Sequence, residues 1–232
     1  MKVALAQLNL TIGDLAGTAA RILDAYRRAC AQGAELVVFS ELAVTGYPPR
    51  DLLLKGRFVP DNLATLDRIA REMTGAAAVL GYVDLNDSGM GRKFRNAAAL
   101  IQEGRVCQRV WKALLPTYDV FDEDRYFEPA ARTGPVTLGQ TSLGITICED
   151  IWNEEAFWRG RRERDGQPVY QRDPVRELCD AGAQVVVNLS ASPYVLGKER
   201  LRHELLQTVA RHHRRPLVFV NQVGGNDELI FD

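Results

Sequence analysis

The stretch LGITICEDIW, residues 143–152, places a cysteine directly after a short apolar run, Leu143 to Ile147, which has the composition of a buried strand. A helix then begins at Asp173, with Pro174 in its first position, and the Val-rich segment Gln184 to Leu189 has the composition of another strand. The same half ends with a helix over Lys198 to His213 and a strand over Leu217 to Asn221. This alternation of strands and helices predicts α/β layering.

The first half of the chain shows the same alternation, with a strand over Lys2 to Leu10, a helix over Asp14 to Gln32 and a strand over Glu35 to Phe39. In that helix apolar residues recur at three- and four-residue spacing, and Asp14 is a candidate N-cap. A helix opening at Pro60 and Asp61, a strand over Ala77 to Val83 and a hairpin of Asn96–Ile101 with Arg105–Val110 follow. Because no linker or repeat divides the chain, we predict one domain over residues 1–232, a mixed α/β sandwich.

Two segments fall outside this alternation. Residues 117–133 hold Pro129 and seven charged residues, which predicts a long ordered loop. The last residues, NDELIFD (226–232), have the pattern of a strand that begins after a Gly224–Gly225 turn. From this we expect the chain to be a fragment of a longer protein; the alternative is a natural terminus that docks as an edge strand.

The charge balance favours small-molecule chemistry over binding to polyanions. The 232 residues are 46% hydrophobic and 25% charged, which is the composition of an ordinary globular protein. Twenty-nine basic residues against 30 acidic ones give a net charge of −1. No global field therefore attracts nucleic acid or an anionic membrane, and we expect neither as a partner.

The cysteines and the N-terminus predict a cytoplasmic protein. The segment MKVALAQLNL is too short and too polar for a secretory signal, and no apolar stretch is long enough to span a bilayer. The cysteines lie at 30, 107, 148 and 179, without the spacing of a zinc site or the density of a disulfide scaffold. Such spacing is typical of a reducing compartment.

The thiol of Cys148 is the best candidate nucleophile, but at its ordinary pKa only a few per cent or so is thiolate at pH 7. It therefore needs a base. In many cysteine hydrolases that base is histidine, but the three histidines of this chain, His203, His212 and His213, lie on the basic segment RLRHELLQTVARHHRRP. That segment has the composition of a solvated helix face, so we do not place a catalytic histidine there.

A carboxylate and an ammonium complete a site that needs neither histidine nor metal. Glu41 follows the buried run LVVFS, which places it at a strand end as a candidate general base. Lys112 follows the strand ending at Trp111, and its ammonium could stabilise the oxyanion of a tetrahedral intermediate. Taken singly, each residue also has an ordinary explanation: a buried thiol as a small hydrophobe, and a Glu or Lys as a solvated charge.

The local sequence around these residues is more specific. It comprises FSELAVTGYPPRDLL (39–53), WKALLPTYDVFDEDRYF (111–127), ITICEDIW (145–152), NLSASPYVLGK (188–198) and FVNQVGGNDELIFD (219–232). Together these segments resemble the nitrilase, or carbon–nitrogen hydrolase, superfamily, and more narrowly the glutaminase domain of glutamine-dependent NAD synthetases. The resemblance implies a four-layer α-β-β-α sandwich that lacks its last strands, and a Glu-Lys-Cys triad at Glu41, Lys112 and Cys148.

The resemblance also implies a reaction and a substrate. Cys148 would attack the side-chain amide of L-glutamine while Glu41 takes the thiol proton, and Lys112 with the backbone N–H of Glu149 would hold the oxyanion. Tyr118 matches a glutamine-binding position of the family, and so do Ser192 and Lys198. Glu149 could face the α-ammonium of the substrate.

A second domain is implied as well. In the family, ammonia passes to a synthetase domain that uses ATP and Mg to amidate deamido-NAD to NAD. The phosphate-binding loop of that domain is absent from the sequence, as is any GxxxxGK[ST] loop. We therefore expect this domain to bind no cofactor, to supply ammonia to a C-terminal synthetase domain, and to form a homo-oligomer as members of the superfamily commonly do.

Two other functions remain open on the sequence. One is a stand-alone amidase that acts on another linear amide or a nitrile and shows no preference for glutamine. The other is a non-catalytic scaffold in which the triad is only buried polar packing, although burying these charges together is costly unless they act as a unit.

Overall fold

The chain folds into α-helices and β-strands, which a computed structural model describes for residues 1–159, 161 and 169–232. The helices are α1 (Leu15–Ala31), α2 (Phe58–Glu72), α3 (Glu155–Trp158), α4 (Pro174–Asp180) and α5 (Lys198–His213). The strands are β1 (Val3–Ala6), β2 (Leu36–Phe39), β3 (Ala77–Leu85), β4 (Phe94–Gln102), β5 (Arg105–Trp111), β6 (Val136–Leu138), β7 (Thr141–Ile147), β8 (Val185–Ser190), β9 (Leu217–Asn221), β10 (Gly224–Asn226) and β11 (Leu229–Phe231).

The first sheet has the order β1-β2-β3-β4-β5. β1, β2 and β3 are parallel, because α1 and α2 return the chain to the same end of the sheet between them. β4 and β5 are added by antiparallel pairing, and the turn between them is Glu103–Gly104, one residue shorter than the predicted connection because Gln102 pairs with Arg105 in the ladder. Parallel strands beside a hairpin make this a mixed sheet.

The second sheet has the order β6-β7-β8-β9, with β7, β8 and β9 parallel and β6 antiparallel at one edge. Sequence periodicity did not predict β6, because three residues are too few to show an alternation. The α4 helix begins as expected, since Asp173 caps it by accepting a hydrogen bond from the Arg176 N–H and Pro174 takes the first position.

Three apolar interfaces hold four layers together. α1 and α2 pack on the outer face of the first sheet, through a cluster that includes Ile22, Leu66 and Phe39. The inner faces of the two sheets meet through side chains such as Val38 and Ile145. α3, α4 and α5 cover the outer face of the second sheet, through a further cluster. The predicted α-β-β-α sandwich is confirmed.

The end of the described chain differs from the expected pattern. Gly224 and Gly225 do not form a turn: they lie in β10, which pairs antiparallel with β11, and the reversal is at Asp227 and Glu228. The reason is that Asp227 adopts a positive φ of 56° and supplies the tight turn without a glycine. The predicted strand is present as β11.

None of the helices in the described part of the chain has the length and apolar character required to cross a membrane.

Candidate active site

Three strand ends carry the residues of the proposed triad. Glu41 comes two residues after β2, Lys112 directly follows β5, and Cys148 directly follows β7. β2 and β5 belong to one sheet and β7 to the other, and the inner faces of the two sheets pack against each other. Residues distant in the sequence therefore meet at the layer between the sheets.

Cys148 lies in a sharp turn between its strand and a single 3₁₀ turn, Cys148–Ile151. Its φ is 44°, in the left-handed region that residues with a Cβ rarely occupy. Such a conformation costs of order 1–3 kcal/mol and persists only where the surrounding structure enforces it. An enforced turn of this kind presents the side chain of its first residue out of the sheet, which suits a nucleophile.

Glu41 and Lys112 form a buried ion pair. The Lys112 ammonium donates to Oε1 of Glu41 at 2.7 Å, and both side chains are fully buried. Asn96 also donates to Oε1 of Glu41, at 2.7 Å, and the Ala191 N–H donates to Oε2 at 3.0 Å. These partners satisfy both oxygens and fix the direction of the carboxylate.

A second carboxylate, Glu123, contacts Lys112 and was not among the residues chosen from the sequence. The Lys112 ammonium donates to both of its oxygens at 2.8 Å, and the Tyr47 hydroxyl donates to Oε1 at 3.0 Å. Glu123 lies in the 3₁₀ turn Glu123–Arg125, within the segment that was correctly expected to be a long ordered loop. It is one of seven charged residues there, and periodicity does not show which one turns inward.

The electrostatics of the cluster keep the thiol neutral and the ammonium charged. Burial raises the pKa of Cys148 well above its ordinary value, and Glu41 raises it further, while Lys112 opposes the rise. Burial alone would lower the pKa of Lys112, but Glu123 and Glu41 outweigh it and raise that pKa. Burial and the nearby Glu41 raise the pKa of Glu123 to about 7, against the pull of Lys112. A neutral thiol beside a paired carboxylate requires proton removal during attack rather than before it.

Cys148 opens onto a cavity of about 170 Å³. The four residues that the sequence analysis selected for substrate binding, Tyr118, Glu149, Ser192 and Lys198, all line this cavity, together with Trp152 and other side chains. Glu41 and Lys112 are not among its lining residues, because both are fully buried. The volume is small for an organic ligand, so the cavity suits a compact substrate.

Opposite charges lie on the walls of the cavity. The Tyr118 hydroxyl donates to Oε2 of Glu149 at 2.8 Å, which fixes that carboxylate. Lys198 begins α5, and its ammonium lies 5.8 Å from the centre of the Trp152 ring. Burial lowers the pKa of Lys198, although Cys148 and Glu149 partly oppose the change. A cation and an anion at one small cavity can receive a zwitterion.

Ser192 is held by the backbone around it. Its N–H donates to Oδ1 of Asn221 at 2.8 Å, and its carbonyl accepts from Nδ2 of the same residue at 3.1 Å. Asn221 ends β9, so the second sheet fixes the position of this part of the wall.

Gly81, in the centre of β3, allows the backbone of the Glu41 segment to approach closely. A Cβ atom there would lie 2.4 Å from the Ser40 carbonyl oxygen and 2.5 Å from the Leu42 nitrogen. Those atoms belong to backbone on both sides of Glu41, so any side chain at position 81 would displace the carboxylate.

The histidines contradict the expectation of a fully solvated helix face. His203 is exposed, but His213 is largely buried, with its side chain 8% exposed. Nδ1 of His212 and Nε2 of His213 each lie 2.8 Å from one oxygen of Glu154. The partner of His212 and His213 is the buried carboxylate of Glu154, which caps α3, and the charge pattern of one helix does not show a partner on another element. No histidine lines the Cys148 cavity.

Glu154, His212 and His213 are the group in the described chain whose side chains could together hold a metal ion. Their ligand atoms lie within 4.8 Å of one another. The two imidazole contacts to Glu154 already satisfy both of its oxygens. The cluster is therefore explained as a carboxylate–imidazole network at the C-terminus of α5, where the helix dipole favours positive charge.

Comparison with known proteins identifies the family of this chain. Residues 2–163 match the carbon-nitrogen hydrolase family. A glutamine-dependent NAD(+) synthetase of Synechocystis is 47% identical over 99% of this chain, and one of Thermotoga maritima is 37% identical over all of it. The chain spans 41% and 37% of the length of these two relatives.

Solved structures of an NAD+ synthetase and of an amidase are similar to this chain in fold. The glutamine-dependent NAD+ synthetase of Acinetobacter baumannii superposes with a TM-score of 0.85 at 32% identity, covering 99% of this chain and 40% of that one. An amidase from Nesterenkonia sp. superposes with a TM-score of 0.80 over all of this chain and 80% of its own, and its 24% identity shows a shared fold. The chain belongs to the carbon-nitrogen hydrolase family.

Proposed function

We propose that this chain is a glutaminase domain, which hydrolyses the side-chain amide of L-glutamine to glutamate and ammonia. The observation that carries the proposal is the cavity at Cys148, whose walls hold Glu149 and Lys198. Glutamine carries an α-ammonium and an α-carboxylate beyond its amide, and these two charged groups match the two charged walls. Glutamine dependence in the names of the relatives supports the same substrate.

In the first half of the reaction, the Cys148 sulfur attacks the amide carbon while Glu41 takes the thiol proton. This order suits the raised pKa of Cys148, because the thiol is neutral until the substrate arrives. The charge on the amide oxygen is stabilised by the Lys112 ammonium and by the backbone N–H of Glu149. Glu41 then returns its proton to the leaving nitrogen, so that the C–N bond breaks and ammonia is released from a glutamyl thioester.

In the second half, water attacks the thioester carbon and Glu41 removes its proton. The C–S bond breaks, the sulfur regains a proton, and glutamate leaves the cavity with the enzyme restored. Through both halves Lys112 stays charged, since Glu41 and Glu123 raise its pKa. Within the described contacts, its role is to hold the two carboxylates and the developing oxyanion rather than to transfer protons.

We further propose that the ammonia supplies a synthetase domain, and that ATP and Mg serve that domain. This extension rests on the relatives, which are named glutamine-dependent NAD(+) synthetases and of which this chain spans about two fifths. The free thiols of all four cysteines are in keeping with a reducing compartment such as the cytoplasm.

Ammonia release from a panel of amides tests the proposal. L-glutamine should be hydrolysed in preference to L-asparagine and to a simple linear amide such as butyramide. The substitution Cys148→Ala should lower the rate of ammonia release at least about 10³-fold. The melting temperature of that variant should stay within a few degrees of wild type, because the change removes one sulfur atom. Equal turnover of all amides would instead identify a stand-alone amidase, and no release from a folded wild-type protein would identify a scaffold.

A further inference from the structure

Asp150 joins the two strand ends that carry Lys112 and Cys148. Its Oδ1 accepts the N–H groups of Ala113 at 3.0 Å and Leu114 at 2.8 Å, and its Oδ2 accepts the N–H of Ile147 at 2.9 Å. Ala113 and Leu114 directly follow Lys112, and Ile147 directly precedes Cys148. The side chain is buried, so these bonds form away from water.

The two strand ends belong to different sheets, and no backbone ladder joins them. β5 lies in the first sheet and β7 in the second, and the side chains between the sheets are apolar. Apolar packing sets the separation of two layers but is not directional, so it does not fix the register of one strand end against another. Hydrogen bonds that the N–H groups of both strand ends donate to one carboxylate do fix this register.

We propose that Asp150 is a positioning residue for the reaction, which holds Lys112 in place relative to Cys148. The proposal deepens the proposed function and rests on it for the identity of the substrate. Asp150 does not line the cavity: it acts through the backbone of the two segments that carry Lys112 and Cys148.

Capping of the 3₁₀ turn does not account for all three bonds. The bond to Ile147 spans three residues, and it satisfies the N–H that precedes the turn Cys148–Ile151. The bonds to Ala113 and Leu114 span 37 and 36 residues and add nothing to that turn. They connect the nucleophile turn to the Lys112 segment.

Asp150→Asn separates the capping of the 3₁₀ turn from the connection to the Lys112 segment. An amide has one acceptor oxygen, so the variant can keep the bond to Ile147 or the pair to Ala113 and Leu114, but not both. Asp150→Ser is a second variant, because its shorter side chain can cap the turn yet does not reach the Lys112 segment. At least one of the two should fold, and the test needs only one folded variant.

The readout is the alkylation rate of Cys148 by iodoacetamide, divided by that of the exposed Cys107 in the same molecule and followed by mass spectrometry. Lys112 lowers the pKa of the Cys148 thiol, so displacement of Lys112 should slow its alkylation. We expect the ratio to fall about 10-fold in a folded Asp150 variant, and kcat for glutamine to fall about 10- to 100-fold with KM changed less than about 3-fold.

Asn62→Ala is the matched control for a buried hydrogen-bonding defect. Asn62 lies in α2, bonds the backbone of Val83 in both directions, and does not line the Cys148 cavity. It should lower the melting temperature and leave the alkylation ratio unchanged. An unchanged ratio in the Asp150 variants, or an equal fall in Asn62→Ala, would overturn the proposal. Because iodoacetamide is not a glutamine analogue, the ratio tests Asp150 even if glutamine is not the substrate.

Discussion

Nζ of Lys112 lies 2.7 Å from Oε1 of Glu41, although the two residues are 71 positions apart and neither side chain is exposed to solvent. Taking two charges out of water costs several kcal/mol per ion, and a buried pair often returns no more than that cost. Apolar side chains of the same volume would stabilise the fold as much as this ion pair does. The pair is therefore better explained by the chemistry of the adjacent Cys148 than by stability.

Glu123→Gln tests the second carboxylate of the Lys112 site. Protonation of Glu123, whose pKa is raised to about 7, removes one of the two anions that hold the ammonium, so kcat/KM for glutamine should fall as the pH drops through about 7. The Gln variant should lose this inflection and show a kcat about 10- to 100-fold lower at pH 8. A pH–rate profile of both proteins measures the effect.

The exposed neighbour Asp122 provides the control for Glu123→Gln. Asp122→Asn should keep both the rate and the inflection. If Glu123→Gln kept the inflection near pH 7, a different group would be titrating and the assignment would be wrong.

Gly81→Ala should lower the activity by displacing the backbone that carries Glu41. The added Cβ would press on backbone atoms on both sides of Glu41, at 2.4 and 2.5 Å, and these atoms are not the ends of flexible side chains. We expect a loss of about 100-fold or more in kcat and a destabilisation of about 1–3 kcal/mol. Gly134→Ala is the matched control, since a Cβ there meets nothing within 4 Å. Full activity in Gly81→Ala would show that Glu41 tolerates displacement.

The contrast between Glu41 and Glu123 shows how far the sequence predicts this site. Glu41 and Cys148 follow buried apolar strands, and Lys112 follows β5, whose residues alternate between exposed and partly buried, so each of the three strand ends is visible in the sequence. Glu123 lies in an irregular loop, where no periodicity indicates which charged side chain turns inward. The role of Gly81 is equally hidden, because a close approach of two backbones is a tertiary contact.

Long helices and clear apolar runs were predicted from the sequence, and the shortest elements were not. α5 and β9 have the predicted boundaries, Lys198–His213 and Leu217–Asn221, because a long amphipathic pattern and an apolar run mark them clearly. The three-residue strand β6 was missed. The burial of His213 was missed as well, since its partner Glu154 comes from a different loop and a helix pattern shows only its own residues.

Lys198→Met tests recognition of the α-carboxylate. The thioether chain keeps the length of the side chain and removes its charge, so KM for glutamine should rise about 10- to 100-fold with a smaller change in kcat. Turnover of 4-aminobutanamide, which is glutamine without its α-carboxylate, should be unaffected by the substitution. Arg200→Met removes a charge from the exposed side of the same helix and should change neither. Equal losses for both substrates would refute this role for Lys198.

His213→Gln tests the network at the end of α5. Hydrogen bonding to Glu154 raises the pKa of His213 above 6.5. Burial alone would raise the pKa of Glu154, but bonds from His213, the Ala156 N–H and His212 lower it below 4.5. The pair therefore stabilises the fold fully between about pH 4.5 and 6.5. Its contribution is lost as pH rises through the folded pKa of His213, and as pH falls through that of Glu154.

Urea unfolding across this pH range measures that contribution. The variant should lose about 1–3 kcal/mol of unfolding free energy at pH 5.5 to 6, and less than that at pH 8.5. His203→Gln, on an exposed position of the same helix, should be nearly neutral at every pH. A loss that is the same at all pH values would mean that packing of the His213 ring, and not its charge, stabilises the helix end.

The most direct test of the glutaminase account is covalent labelling with 6-diazo-5-oxo-L-norleucine, a glutamine-shaped electrophile, followed by peptide mass spectrometry. The account predicts one adduct per chain, on the peptide that holds Cys148, with protection by L-glutamine and with the exposed Cys107 unlabelled. Labelling of Cys107 alone, or no labelling of Cys148 in a folded protein that iodoacetamide does alkylate at Cys148, would contradict it.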